Sequence, residues 1–231
     1  MTKVLFDNVS FKTSRLITNY YSTSFSLATS LFSKEMRQAI YGIYGFVRLA
    51  DEIVDAFHAY DKKSLFEKFR NDYYDALKMG ISTNPVLNAF QHVVKEYHIS
   101  KEHVEAFLNS MEADLMRTEY NDENEIKGYI YGSADVVGLM CLKVFCNGNH
   151  ELYNQLEQPA MKLGSAFQKV NFLRDLRYDT EKLGRQYFPE LAHRKLDDET
   201  KLHLIENVEE EFSQAFNGIK MLPGRSKLAV L

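Results

Sequence analysis

The sequence is poor in helix-breaking residues and in cysteine. Its 231 residues include four prolines, eleven glycines, two cysteines and no tryptophan. So little proline and glycine favours long helices over many short strands. Cys141 and Cys146 form neither a CxxC pair nor a disulfide framework, which indicates a reduced, intracellular protein.

Signals for export, membrane insertion and nucleic-acid binding are also weak. Residues 1–10 are charged at two positions and lack the apolar run of a signal peptide. The most apolar long stretch, 129–145, is interrupted by Asp135 and Lys143 and falls short of the roughly 20 apolar residues of a membrane span. A net charge of −4 offers nucleic acid no basic field. The sequence predicts a cytoplasmic protein that binds no nucleic acid, and it leaves open a peripheral contact with the inner face of the membrane.

What the sequence does contain is helical periodicity. Apolar residues recur at i, i+3, i+4 and i+7 through most of the chain, with cap residues at Ser33, Asp61, Asn84 and Ser100. The predicted helices cover 34–57, 61–80, a segment beginning at 85, 100–115, 125–145, 152–179 and 198–221. The glycines within 125–145 indicate a bend or close packing, and Pro159 indicates a kink. The pattern predicts one all-α domain over residues 1–231.

The first candidate site is a charged stripe on the helix that begins after Ser33. Asp51 and Asp55 are spaced i, i+4, so both carboxylates lie on one face, and Arg48 shares that face. A solvated acidic edge with a local ion pair is the simpler interpretation. For this motif taken alone that interpretation is favoured, but the apolar and aromatic residues around the stripe leave open an alternative, in which the acids lie at the rim of a cavity.

The second candidate site lies near the end of the helix predicted over 152–179. Asn171, Asp175 and Asp179 follow one another at intervals of four residues, with Gln168 one turn earlier and Arg174 beside them. Oxygen-bearing side chains on consecutive turns are suitable ligands for Mg²⁺, which often shares them with substrate phosphates. A polar helix face is the alternative, and the apolar stretch before it makes that alternative weaker.

Together the two stripes predict a site for a polyanion. If the helices that carry them are neighbours, four aspartates and one asparagine surround a single gap, and so much negative charge is costly to bury without neutralisation. Divalent cations supply that charge and in turn hold a polyanion, for which diphosphate is the obvious candidate. Three arginines add positive charge: Arg48, Arg174 and Arg185.

These residues, in this order, resemble a known family. The matching segments are 21–25 (YSTSF), 51–55, 131–138 (YGSADVVG), 168–179 and 184–189 (GRQYFP). The sequence is similar over nearly its whole length to the squalene/phytoene synthases, which join two prenyl diphosphates head to head, and is nearest to the bacterial phytoene synthases. No phosphate-binding glycine loop, HExxH motif or nucleophile elbow competes with this resemblance.

The resemblance implies a fold and a set of functional residues. The implied fold is the isoprenoid-synthase helical bundle around a central cavity, here without the last C-terminal helices of the family. The implied Mg²⁺ ligands, with Mn²⁺ as an alternative ion, are Asp51, Asp55, Asn171, Asp175 and Asp179. The implied substrate-binding residues are Ser22, Ser24, Phe25, Tyr44, Arg48, Gln168, Arg174 and Arg185. The implied catalytic residues are Asp51, Asp55, Asp175, Asp179 and Tyr131.

The resemblance also implies an activity. We expect condensation of two geranylgeranyl diphosphates to phytoene through a cyclopropylcarbinyl diphosphate, as part of carotenoid biosynthesis. Farnesyl diphosphate as substrate, giving squalene or dehydrosqualene, is the alternative. NADPH is not expected, since no nicotinamide site is evident. A catalytically inactive relative with a binding or assembly role is the alternative of another class. The sequence leaves the substrate chain length and the oligomeric state open.

The histidines, the cysteines and one acidic run are expected to have structural rather than functional roles. The seven histidines show no ligand spacing. Cys141 and Cys146 lie in an apolar segment and are expected to pack in the core. The acidic run at 209–211 is expected to be a solvated helix face.

Overall fold

The chain folds into a bundle of α-helices. The computed structural model describes residues 2–116, 120, 122–178, 180–181, 187–188 and 197–231. All regular elements in these ranges are helical, which confirms the all-α prediction. The α-helices are α1 (Thr2–Tyr21), α2 (Thr23–Ser30), α3 (Lys34–Asp55), α4 (Lys62–Met79), α5 (Pro85–Glu96), α6 (Lys101–Asp114), α7 (Glu123–Ile130), α8 (Val136–Cys146), α9 (His150–Tyr178), α10 (Asp198–Ile219) and α11 (Gly224–Val230). A π-helical turn, Tyr131–Asp135, joins α7 to α8.

Local capping fixes where several helices begin. The side chains of Ser33, Asp61 and Asn84 accept hydrogen bonds from the first turns of α3, α4 and α5. Gly80 ends α4 with a φ of +75°, a left-handed conformation that glycine adopts without strain. Ser100 stands at the start of α6 as predicted, but its hydroxyl makes no capping hydrogen bond there.

Three helices have no counterpart in the sequence prediction: α1, α2 and α11. The reason is clearest for α1, whose buried residues are Ser10, Ser14 and Thr18 rather than large apolar side chains. Small polar residues give no hydrophobic periodicity, yet they allow close helix packing. A Cβ on Gly45 of α3 would lie 2.9 Å from Ser14 Oγ, so α1 and α3 approach closely at this point.

The largest hydrophobic core is built around α3. Phe46 of α3 is fully buried and stacks on Phe90 of α5, with 3.9 Å between ring centroids. α4, α6 and α8 complete this core. α8 also packs against α9, so it lies between the two helices that carry the predicted aspartate stripes.

The apolar segment 123–146 belongs to the interior of the bundle. By length and composition it is the one candidate for a membrane span in the described ranges, but 56% of its most apolar window is buried. The π-helical turn interrupts it, and Asp135 lies buried at the end of that turn. Gly132 packs against α6 and Gly138 against α9, which confirms the predicted close packing.

The structure corrects the interpretation of the acidic run at 209–211. Its first two glutamates are exposed, but Glu211 is only 9% exposed. Glu211 accepts hydrogen bonds from Ser165 and Lys162 and forms ion pairs with Lys162 and Lys169. Glu211 lies at helical spacing from Leu204, Val208 and Ala215, other buried residues of α10, and packing against α9 gives its carboxylate two lysine partners.

Candidate functional site

Arg48 is the centre of the first group of predicted site residues. It lies on α3 and pairs with Asp51 and Glu52, one turn further along the same helix. Its guanidinium carbon lies 4.3 Å from the centre of the Tyr21 ring at the end of α1. The predicted ion pair on α3 therefore forms, but it includes a second carboxylate and an aromatic ring from another helix.

An aromatic pair adjoins Arg48 on the same face of α3. Tyr44 stacks on Phe25 of α2, with 4.8 Å between ring centroids. Ser22 caps α2 by accepting a hydrogen bond from the Phe25 backbone N–H, and its side chain also bonds Tyr44. Burial raises the pKa of Tyr44, against the opposing effects of Arg48 and the Ser22 hydrogen bond. We name Tyr21, Ser22, Phe25, Tyr44, Arg48 and Asp51 the α3 cluster.

Two predicted residues flank the α3 cluster. Ser24 lies in α2 and is exposed. Asp55 is the last residue of α3, half-buried and one turn beyond Asp51. Lys62 donates a hydrogen bond to the backbone carbonyl of Val54 at 2.7 Å, so the turn of α3 that carries Asp55 is tied to the start of α4.

The second group lies on α9. Gln168, Asn171 and Asp175 are half-buried and share one face of this helix, as predicted. Arg174 holds Asp175 in a two-bond ion pair, with Nε to Oδ1 at 2.9 Å and Nη2 to Oδ2 at 2.6 Å. The remaining predicted residues of this group, Asp179 and Arg185, lie outside the described residues.

Tyr131 and its neighbour Tyr129 have different surroundings. Tyr131 opens the π-helical turn, is 37% exposed and lines a groove beside α6. Tyr129 is buried and donates a hydrogen bond to Asp114 Oδ2 at 2.8 Å. Burial, with Asp114 nearby, raises the pKa of Tyr129 well above its usual value. Neither Tyr129 nor Asp114 is predicted from the sequence as a functional residue, because their hydrogen bond joins two helices and leaves no spacing signal.

The donor atoms of the two groups suit a hard cation shared with a ligand. Nowhere in the described ranges do three acidic, histidine or cysteine side chains gather as a closed metal site. Asp51 and Asp55 on α3, and Asn171 and Asp175 on α9, supply the carboxylate and amide oxygens that Mg²⁺ prefers. Mg²⁺ is usually bound by one or two carboxylates together with substrate phosphates. These residues therefore fit Mg²⁺ held jointly with a diphosphate.

The bundle has the all-α isoprenoid synthase fold. A dehydrosqualene synthase crystal structure matches with a TM-score of 0.81 and 22% identity, covering 97% of this chain and 82% of that one. The squalene synthase HpnC from Alicyclobacillus acidocaldarius matches with a TM-score of 0.81 and 20% identity, covering 97% and 88%. YisP from Bacillus subtilis matches with a TM-score of 0.70 and 19% identity, covering 100% and 83%.

The chain belongs to the squalene/phytoene synthase family, whose sequence model matches residues 18–231. It is 32% identical over 192 residues to phytoene synthase 1 of Zea mays, covering 78% of this chain and 44% of that protein. It is 30% identical over 190 residues to phytoene synthase of Arthrospira platensis, covering 78% and 61%. The chain thus spans about half the length of the curated relatives it matches.

Proposed function

We propose that this protein condenses two prenyl diphosphates head to head, with geranylgeranyl diphosphate as substrate and phytoene as product. The observation that carries the proposal is the pair of arginine–aspartate groups, Arg48–Asp51 on α3 and Arg174–Asp175 on α9, in a bundle of this family. The choice of the C20 substrate is supported by the phytoene synthases, which are 30–32% identical to this chain. The squalene-type structures are 20–22% identical and support the fold alone.

In this proposal the arginines bind diphosphate and the acids bind Mg²⁺. Arg48 and Arg174 offer planar, charged N–H groups that suit phosphate oxygens. Asp51 and Asp55 on one side, and Asn171 and Asp175 on the other, contribute the oxygen ligands. When bound, Mg²⁺ would neutralise the negative charge that develops on the departing diphosphate. Each arginine then exchanges part of its ion pair for contact with substrate.

The proposed reaction has two steps. In the first, one donor loses diphosphate as its C–O bond breaks, the double bond of the second donor attacks, and loss of a proton leaves a cyclopropylcarbinyl diphosphate. In the second, the remaining diphosphate leaves, the ring rearranges, and a second proton is lost to give the linear hydrocarbon. Phe25 and Tyr44 present stacked rings beside Arg48, which suits stabilisation of cationic carbon and exclusion of water.

Two other functions are retained as alternatives. Condensation of farnesyl diphosphate to a C30 product is the alternative within the squalene/phytoene synthase family. A non-catalytic role is favoured by the ion pairs themselves, because arginine already neutralises Asp51 and Asp175 in the structure.

One product analysis separates these functions. Purified protein is incubated with Mg²⁺ or with EDTA, with geranylgeranyl or farnesyl diphosphate, and with or without NADPH. A C40 hydrocarbon that needs Mg²⁺ and forms without NADPH is the expected result. If only farnesyl diphosphate gives a product, a C30 hydrocarbon, then farnesyl diphosphate replaces geranylgeranyl diphosphate as the proposed substrate. A folded protein that gives no product under any condition would contradict the proposed activity.

The product also bears on where the protein acts. A C40 hydrocarbon is insoluble in water, so we propose a cytoplasmic protein that touches the inner face of the membrane when it releases product. Flotation of the protein with lipid vesicles, before and during turnover, tests this contact. Recovery of all protein from the aqueous fraction during turnover would contradict it.

A further inference from the structure

Arg48 is restrained on three sides. The carboxylates of Asp51 and Glu52 each bind one terminal nitrogen of its guanidinium, and the Tyr21 ring covers the plane. Its Nε is buried and, within the described part of the chain, has no hydrogen-bond partner. The arginine is 31% exposed at its side chain, so this arrangement is at the edge of solvent.

The restraint comes from two different parts of the chain. Asp51 and Glu52 lie three and four residues after Arg48 on the same helix. They therefore stay close to Arg48 however the helices of the bundle pack together. Tyr21 is the last residue of α1, and it reaches Arg48 only because α1 packs on α3. The aromatic ring therefore adds an orientation that α3 alone cannot impose. A guanidinium lying flat on an aromatic ring is attracted to its π face and loses freedom to rotate.

We infer that Tyr21 is a positioning residue that holds the Arg48 guanidinium ready for the diphosphate of the substrate. The inference rests on the proposed function, in which Arg48 contacts diphosphate. An arginine that is already ordered loses less rotamer entropy on binding than a free one. Tyr21 acts through its ring on Arg48 and needs no contact of its hydroxyl with the ligand.

The test compares three single variants with the wild type. Tyr21→Leu removes the ring, Tyr21→Phe keeps the ring and removes only the hydroxyl, and Tyr20→Leu changes the adjacent tyrosine, which is 84% exposed. Binding of inorganic diphosphate with Mg²⁺ is measured by calorimetry, and KM and kcat are measured with the prenyl diphosphate that gives product. Because a partly exposed cation–π contact is modest, we expect about a fivefold to tenfold weaker diphosphate binding in Tyr21→Leu. KM should rise by a similar factor while kcat stays within about twofold, and the other two variants should resemble the wild type.

A spectroscopic measurement tests the positioning without any ligand. The Nε–H resonance of Arg48 carries a ring-current shift while the guanidinium lies over Tyr21. That shift should persist in Tyr21→Phe and vanish in Tyr21→Leu. The chemical shift can be measured in any variant that folds. Circular dichroism and thermal melting verify that each variant is folded.

The outcomes separate this inference from the proposed function. Unchanged binding in Tyr21→Leu, or equal weakening in Tyr21→Phe and Tyr21→Leu, would overturn the positioning role and leave the condensation proposal intact. A wild type that binds no diphosphate would contradict the proposed function. In that case the ring-current shift still decides whether Tyr21 orders Arg48.

Discussion

Aspartates in this chain differ widely in their electrostatic surroundings. Asp51 and Asp175 each lie against an arginine at the edge of solvent. Asp135 is 8% exposed at the end of the π-helical turn, and within the described residues its Oδ1 has no hydrogen-bond partner. The same side chain can therefore act as a charged ligand in one place and as a buried acid in another.

The predicted metal ligands are tested by removing charge without changing size. Asp51→Asn and Asp175→Asn should each reduce Mg²⁺-dependent product formation by at least about a hundredfold, because an amide neutralises a divalent cation poorly. Asp198→Asn, at an exposed position of α10, is the control and should retain wild-type turnover. Product yield and far-ultraviolet circular dichroism are measured together. Wild-type turnover in either of the first two variants would remove that residue from the metal site.

We expect Asp135 to make the stability of the protein depend on pH. Burial, together with the nearby Glu211, raises the pKa of Asp135 to about 7, although Lys162, Lys169 and the Ser165 backbone oppose the shift. A raised carboxyl pKa means that the folded protein holds a proton that the unfolded chain releases near pH 4. The associated stability is fully present below pH 4 and is lost as pH rises towards 7.

This pH dependence should disappear when Asp135 cannot ionise. At pH 8 the free energy of unfolding of Asp135→Asn should exceed that of the wild type, by on the order of 4 kcal/mol at most. At pH 4 the two proteins should differ little in stability. Urea titrations at both pH values measure the difference. The reverse order, with a larger gain at pH 4 than at pH 8, would show that folding lowers the pKa of Asp135.

At the scale of elements, the glycines of segment 123–146 have different roles. A Cβ on Gly132 would lie 1.9 Å from Ser110 Oγ and 2.7 Å from the Ala106 carbonyl oxygen of α6. A Cβ on Gly128 would meet nothing within 4 Å. The first glycine is required by packing, whereas the second only adds flexibility to the unfolded chain.

Alanine at the two positions should have opposite effects. Gly132→Ala should lower the free energy of unfolding by about 1–3 kcal/mol. The added Cβ clashes with a backbone carbonyl oxygen of α6, which cannot move aside as a flexible side chain does. Gly128→Ala should raise it by about 0.5–1 kcal/mol through helix propensity. Chemical denaturation of both variants provides the comparison. Equal effects of the two substitutions would show that the π-helical turn does not depend on its contact with α6.

Prediction of elements succeeded where the sequence contains its own signals. Ser33, Asp61 and Asn84 mark helix starts through hydrogen bonds to residues two or three positions away, so they are readable from the sequence. α1 was missed because Ser10 and Ser14 are buried against another helix, and this burial has no local signature. The end of α9 could not be compared, since Asp179 lies outside the described residues.

At the scale of the whole molecule, a buried charge network joins α9 to α10 and the π-helical turn. Glu211 bonds Ser165 and pairs with Lys162 and Lys169 on α9, and it acts electrostatically on Asp135. Burial would raise the pKa of Glu211, but hydrogen bonds from Lys169, Ser165 and Lys162 outweigh it and lower that pKa. The α9 residues of this network lie on the helix that also carries Asp175.

Loss of Glu211 should therefore destabilise the whole bundle. Glu211→Ala leaves two lysines without their carboxylate, and we expect the free energy of unfolding to fall by about 2 kcal/mol. This loss is smaller than for a fully buried ion pair, because both lysines are partly exposed to solvent. Glu209→Ala, on the exposed side of α10, should change it by less than about 0.5 kcal/mol. Thermal and urea unfolding measure both variants. Similar losses would mean that the network adds nothing to stability.

The sequence by itself determined the all-α class, the starts of α3, α4 and α5, and the two polar stripes, because these follow from contacts within one or two helical turns. Tertiary structure decided which residues those helices bring together. It placed the Tyr21 ring over Arg48, paired Glu211 with two lysines of α9, and isolated Asp135 from water. Such choices depend on packing between residues far apart in the chain, and helical spacing alone does not encode that packing.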